Sequence, residues 1–290
     1  MNETLTTTSS SLPARVYKKP RNLLGTVVFY AVISLYAFLL MLPLLTLLSV
    51  SFRTDGDVFA PGILPPNPTL EAYQTALSKY PLARFLLNSL LVSTLVTLGV
   101  ILVSSSMGYA LARVKFPAAR AIFGLIVVLL LMPGEVTFLP LFLLVTRLGW
   151  SDTFWALTVP FVASPIGIFL MRQFMMALPQ ELFDAARMDG AGHLRQLWYV
   201  AIPLSLPALG ALGSLTFLST WNMYLWPLIV TNSKEMQTAQ IAVSMILNDE
   251  STRWNVVAAG AIFVLLPTLI AFLLAQRAFV RGIAMGGLKG

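Results

Sequence analysis

Apolar positions run almost unbroken through six stretches of this chain of 290 residues, and polar positions gather between them. A helix needs about 20 apolar residues to cross a bilayer. The pattern predicts spans at roughly 24–48, 85–111, 121–146, 153–171, 204–226 and 255–276. No charge occurs from Asn22 to Phe52, so the first span exceeds the ~7–15-residue core of a cleaved signal peptide and is retained. The linking segments are polar. Residues 1–22 carry a Ser/Thr-rich start and then Arg15, Lys18, Lys19 and Arg21, while 51–84 is proline-rich.

One polar interruption has its own organisation. Residues 178–203 read LPQELFDAARMDGAGHLRQLWYVAIP. Glu181 to Arg187 predict one or two helical turns, stopped by Gly190, which takes a left-handed C-terminal position without a Cβ clash. A second amphipathic piece, 194–200, leads to Pro203, expected to open the next helix because its missing N–H is not needed there. A helix that lies among headgroups shows large apolar side chains on one face and Lys or Arg on the other. Here the centre is Ala185-Ala186 between Asp184 and Arg187. Small side chains admit another protein's backbone, and the charges set its orientation. Docking to a partner is the functional reading, and a solvated connector is the alternative.

Composition narrows the class. The chain is 57% hydrophobic and 11% charged, against about 25% charged in soluble domains. It is an integral membrane protein by this measure. There is no cysteine and only one histidine, His193, so no metal site, thiolate or His-based catalytic cluster is predicted. No catalytic residue is assigned, and nothing fits the phosphate-loop pattern G-x-x-x-x-G-K-[ST]. The net charge of +7 fits loops facing anionic lipid, with no nucleic-acid partner. Thirteen of the 19 lysines and arginines lie in the tail, in 112–120, in the 172–203 loop and after residue 276. Basic loops stay inside, so both termini and the 178–203 loop are expected to be cytoplasmic.

The triplet Asp184-Ala185-Ala186, the glycine four residues on at Gly190, and the ending Val200-Ala201-Ile202-Pro203 resemble the EAA loop of ABC-importer permeases. Asp stands for the usual Glu, Val for Ile and Ile for Leu. Further strings, in order, resemble the carbohydrate-uptake group, in particular the second of its two paired permeases, as in maltose import. They are Leu64-Pro65-Pro66-Asn67-Pro68-Thr69-Leu70, Asn88-Ser89-Leu90, Gly167-Ile168-Phe169-Leu170-Met171-Arg172-Gln173-Phe174, Trp221-Asn222, Leu225-Trp226-Pro227-Leu228 and Gly286-Gly287-Leu288-Lys289-Gly290.

The resemblance implies an all-α integral membrane protein of the type I importer permease fold. It would have six transmembrane helices, a cytoplasmic tail at 1–22, a permease domain at 23–276 and a second tail at 277–290. The 178–203 loop would dock an ATPase through Glu181, Asp184, Ala185, Ala186, Asp189 and Gly190, coupling through 181–193. The implied partners are a second related permease, two cytoplasmic ABC ATPases that carry ATP and Mg, an extracytoplasmic solute-binding protein and the bilayer. This chain itself would bind no cofactor and would be a transport subunit, not an enzyme, in a bacterial or archaeal plasma membrane. The outer segment 231–254 would probe the binding protein.

Candidates for the translocation path come from polar residues at apolar depth. Glu135 is the one acid within a predicted span, and it lies beside Pro133-Gly134. It belongs to the path or a subunit contact, or it is a structural acid at a helix break. Trp221, Asn222, Tyr224 and Trp226 offer stacking faces and amides to a sugar, or form an interfacial aromatic belt. Asn88, with Ser89, Ser93, Thr94 and Thr97, touches solute or bonds helices together. A secondary transporter or channel would require several intramembrane charges, and an intramembrane enzyme would require facing acids or a His cluster. A permease for a non-sugar solute stays open.

Overall fold

The computed structural model describes residues 23–249 and 253–286, with side chains for 24–249 and 253–273. The predicted tail at 1–22 and the terminal residues 287–290 lie outside the described residues. Among those described, every regular element is helical. The chain divides into two units, Met1–Thr46 and Leu47–Gly290. The first holds most of α1 (Leu23–Ser51), which carries no charged residue and contains Pro43. The Thr46 hydroxyl donates to the Pro43 carbonyl at 2.9 Å, supplying a local hydrogen bond within the turn that follows the proline.

The second unit runs through α2 (Glu71–Lys79), α3 (Leu82–Arg113), α4 (Ala119–Leu130), α5 (Phe138–Arg147), α6 (Phe154–Thr158) and α7 (Pro165–Ala177). There follow α8 (Gln180–Met188), α9 (His193–Gln196), α10 (Ile202–Leu204), α11 (Leu206–Trp221), α12 (Leu225–Val230), α13 (Ala239–Leu247) and α14 (Trp254–Gly286). α3 is the central member, packed along α7 and α11, and α11 packs in turn on α14. Small residues let these helices approach closely, as membrane helices do without a hydrophobic force between them. A Cβ on Gly108 would stand 2.8 Å from Met171 Cβ and 2.9 Å from the Arg172 backbone nitrogen. Val96, Val100, Tyr109, Met171, Met175 and Phe183 are buried in the main core.

The six predicted spans correspond to four long apolar helices and two bent pairs. The third is not one rod: α4 and the helical stretch Gly134–Arg147 meet at 105°. Pro133 has no N–H to continue the ladder and takes an extended ψ of 130°. Glu135 therefore sits exposed in the 3-10 turn Gly134–Thr137 at that break, not inside a membrane helix.

The fifth span also differs. Pro203 falls within the short α10 and does not open the long helix α11. The chain is helical from His193 to Leu204, with a π-helical stretch at Leu197–Ala201 in which the Ile202 N–H reaches back to the Leu197 carbonyl. The wider turn accommodates Pro203, whose ring cannot fit a regular α-turn. The 79° bend falls at Ser205, and Pro207 lies in the first turn of α11. Trp226, expected in the same span, belongs to the separate α12. α14 continues ten residues past Gln276, so 277–286 is helix where a tail was expected.

Two short helices fill segments expected to be loops. Ala72, Ala76 and Tyr80 of the α2 region pack with Phe85, Ile246 and Val256 in a second core. Ion pairs close it: Lys79 to Asp249 at 3.0 Å and Arg253 to Glu71 at 3.0 Å. The Asp249 carboxylate also accepts from the Tyr80 hydroxyl at 2.8 Å, and its hydrogen bond raises the Lys79 pKa above the usual 10.5.

Candidate functional site: the segment Gln180–Leu204

α8 is a nine-residue amphipathic helix with one buried side chain, Phe183. The Arg113 guanidinium lies 4.2 Å from the centre of the Phe183 ring, and the Tyr109 ring stands 6.3 Å away. Arg113 also donates to the Met175 carbonyl at 3.1 and 2.6 Å, to the Leu178 carbonyl at 2.6 Å, and to Gln180 Oε1. The last residue of α3 thus ties down the exit of α7 and the entry of α8. An arginine can do this because its planar fork offers five donors at once.

The second half of the segment is pinned by the same helix. The Tyr109 hydroxyl donates to Gln196 Oε1 at 3.2 Å, and Gln196 Nε2 donates to the Ala191 carbonyl at 2.7 Å. Gln196 is buried. Between these two pins the helix stops as expected. Gly190 has φ +79°, its N–H reaches the Arg187 carbonyl at 3.0 Å, and the Ala191 N–H reaches the Ala186 carbonyl at 2.9 Å. This pair of bonds is a Schellman stop.

The expected docking residues fall together on this helix and its stop. Glu181, Asp184, Ala185, Asp189 and Gly190 are exposed, while Ala186 is half-buried on the Phe183 side, three residues on. Ala185, not Ala186, is the exposed alanine of the pair. Asp184 is held by Gln180 Nε2 at 3.0 Å and by Arg187 at 3.4 Å. Large apolar side chains of the same segment are exposed as well. Met188 is 88%, Leu194 75% and Tyr199 78% exposed.

The expected path residues do not form one site. Asn88 is buried, and its amide donates to the Glu235 and Gln237 carbonyls, each at 2.8 Å. Trp221 is buried, with Nε1 donating to the Val264 carbonyl at 3.2 Å, so its ring bonds α11 to α14. Asn222 and Tyr224 are exposed between α11 and α12, joined to Gln240 at 3.0 Å and to Ser244 at 3.0 Å. Ser89 accepts the Ala239 N–H at 2.8 Å, while the buried Ser93 and Thr97 hydroxyls have no hydrogen-bond partner. A different group lines an open cleft of about 370 Å³ between α3, α7 and α11, including Ser164, Thr216, Ser219 and Thr220. The spacing of the last three, i, i+3 and i+4, was a legible signal of one polar face.

Residues 101–284 match the family described as the binding-protein-dependent transport system inner membrane component. The chain belongs to this family. As an inner membrane component it is a multi-pass membrane protein, in keeping with its apolar helices. Its relatives include the arabinooligosaccharides transport system permease protein AraQ of Halalkalibacterium halodurans. The two are 34% identical over 88% of this chain and 93% of the relative. The sn-glycerol-3-phosphate transport system permease protein UgpE of Yersinia pestis is 37% identical over 84% of this chain and 91% of its own. In fold the chain is similar to a solved bacterial ABC transporter involved in the import of the acidic polysaccharide alginate. The TM-score is 0.80 at 22% identity, covering 91% of this chain and 99% of the other.

Proposed function

We propose that this chain is one of two paired permeases of an importer driven by separate ATPases, carrying a carbohydrate or sugar-like solute delivered by an extracytoplasmic binding protein. The observation that carries this proposal is α8: an exposed helix of small and charged residues, fixed from behind by Phe183 and Arg113 and stopped at Gly190. A helix held this firmly, yet open on its outer face, suits a partner that must push on it. Solute class is supported by relatives named for arabinooligosaccharides and glycerol phosphate. The excess of Lys and Arg in the tail, in 112–120, in 172–203 and after residue 276 supports a cytoplasmic position for α8 and both termini.

The chain has no phosphate loop of its own, so ATP is bound and hydrolysed on the partner subunits. They can drive transport only if they bind the inward-open and outward-open permeases with different free energies. The α8 surface is where that difference is felt. The cleft lined by Thr216, Ser219 and Thr220 is assigned to the path because its hydroxyls suit a polyhydroxylated solute. Glu135 plays no part in proton coupling. It is exposed at a helix break.

The test is uptake by proteoliposomes holding the purified complex with ATP inside and binding protein outside. Uptake should require ATP and survive a protonophore when ATP is clamped. Uptake abolished by the protonophore, with no ATPase in the purified complex, would indicate a secondary transporter.

A further inference from the structure

α3 differs from the other long apolar helices. α1 contains Pro43, α14 contains Pro267, and 154–177 contains Pro160 and Pro165, whereas the 32 residues of α3 contain no proline. It is about 48 Å of unbroken helix. Its Arg113 end holds α8: the Tyr109 ring and the Arg113 guanidinium pack on Phe183, and Arg113 donates to Gln180 Oε1. Its Leu82 end holds a second segment, residues 231–239, by similar means. Asn88 donates to the Glu235 and Gln237 carbonyls, Ser89 accepts the Ala239 N–H, and Arg84 Nε donates to the Glu235 carbonyl at 3.2 Å.

The same segment is gripped from the turn between α5 and α6. Asp152 Oδ1 accepts the N–H groups of Asn232 at 2.9 Å and Ser233 at 3.0 Å, and the Asp152 N–H donates to the Val230 carbonyl at 2.9 Å. Asp152 is the one described non-glycine residue with positive φ, at 60°. Such a conformation persists where surrounding contacts impose it. Burial works against its ionisation, but hydrogen bonds from Ser233 and Asn232 outweigh this and hold its carboxyl below 3.8. An irregular stretch that would otherwise be solvated and mobile is therefore fixed by side chains from two elements.

We infer that α3 is a rigid rod joining the docking helix to segment 231–239, which lies at its opposite end and, across a helix longer than the ~30 Å bilayer core, faces the binding protein, and that Ser89, Asn88 and Asp152 are positioning residues that transmit binding-protein docking to the ATPase. This rests on the importer assignment above. A bent span can absorb a displacement at its break, whereas a proline-free helix fastened at both ends passes it on. Asn88 is then neither solute ligand nor simple helix glue: both its donor contacts go to the segment it positions.

The experiment uses the assembled complex in nanodiscs, with ATP hydrolysis measured in the presence and absence of solute-loaded binding protein. In Ser89→Ala and Asp152→Ala, ATPase co-purification and basal hydrolysis should match the unmodified complex. Stimulation by the binding protein should fall about fivefold in Ser89→Ala, the factor one lost hydrogen bond implies, and by more in Asp152→Ala, which loses two. The pair Ser89→Cys/Ala239→Cys, in a chain with no other cysteine, should lose stimulation when reduced and regain it when cross-linked, at constant basal rate. This pair decides the matter if either alanine variant fails to fold.

Unchanged stimulation in both alanine variants, or a cross-link that restores nothing, would overturn the rod. If no ATPase co-purifies with the unmodified chain, the importer assignment itself is wrong and the rod falls with it.

Discussion

Replacing Phe183 by alanine should release the docking helix while leaving the membrane helices in place. The Phe183 ring is 1% exposed and is the single buried side chain of a helix nine residues long. Isolated helices below about 12–15 residues are marginal in water, so α8 depends on this contact. Truncating a buried phenylalanine costs about 3–5 kcal/mol. The Arg113 cation–π contact at 4.2 Å falls within that loss. Taking ~3 kcal/mol, the detached population rises about a hundredfold. Hydrogen exchange in nanodiscs reads this directly. Amides of 180–188 should exchange up to about a hundredfold faster, with those of α3 unchanged, and the ATPase should co-purify poorly. Exchange across 180–188 at the unmodified rate would refute the claim that Phe183 is what fastens α8.

Four further outcomes follow from single positions. Gly190→Val should cost ~1–2 kcal/mol through its φ of +79° alone, since no atom lies within 4 Å of the added Cβ. Gly190→Asn should be tolerated, as thermal unfolding of the two variants would show. Gly108→Val should push α3 off α7, because the new Cβ meets the Arg172 backbone nitrogen at 2.9 Å; the membrane level of the variant checks this. Asp152 has a lowered folded pKa, so its grip is complete above pH 3.8 and is lost as pH falls through the folded value. A spin label at Lys234→Cys should be immobile at neutral pH and loosen only at a pH below 3.8. Single cysteines at Thr69 and Ser233 should react with an impermeant thiol reagent from outside, and one at Ala191 only from inside.

Much of the fold could be read from the chain because lipid imposes a length rule on apolar runs. The helical turns before Gly190 were legible too, since few residues besides glycine accept a positive φ. What fastens them was not. Phe183 meets Tyr109 and Arg113, more than 65 residues away, and no local pattern announces that contact. Pro133-Gly134 marked a break, but no local pattern states the 105° angle between its two arms. Pro203 was misjudged because a proline can be carried inside a helix when the preceding turn widens. α2 was hidden by its proline-rich surroundings, although Ala72, Ala76 and Tyr80 repeat at helical spacing. Asn88 read equally as path or glue. Only the backbone carbonyls of 235 and 237, from the far side of the sequence, distinguish a third role.

The most direct measurement of the central claim is co-purification of the ATPase with Ala185→Trp. The Ala185 side chain is exposed on α8, away from Phe183, so the substitution leaves the fold of this chain undisturbed. In a closely packed interface the indole would cost about 1–3 kcal/mol by overfilling. The control is Met176→Trp, at a position half exposed and off the helix. The account predicts normal membrane levels for both variants, loss of ATPase and of uptake for Ala185→Trp, and retention of both for Met176→Trp. Full ATPase retention and uptake in Ala185→Trp would contradict it, leaving α8 a connector and the energy source elsewhere.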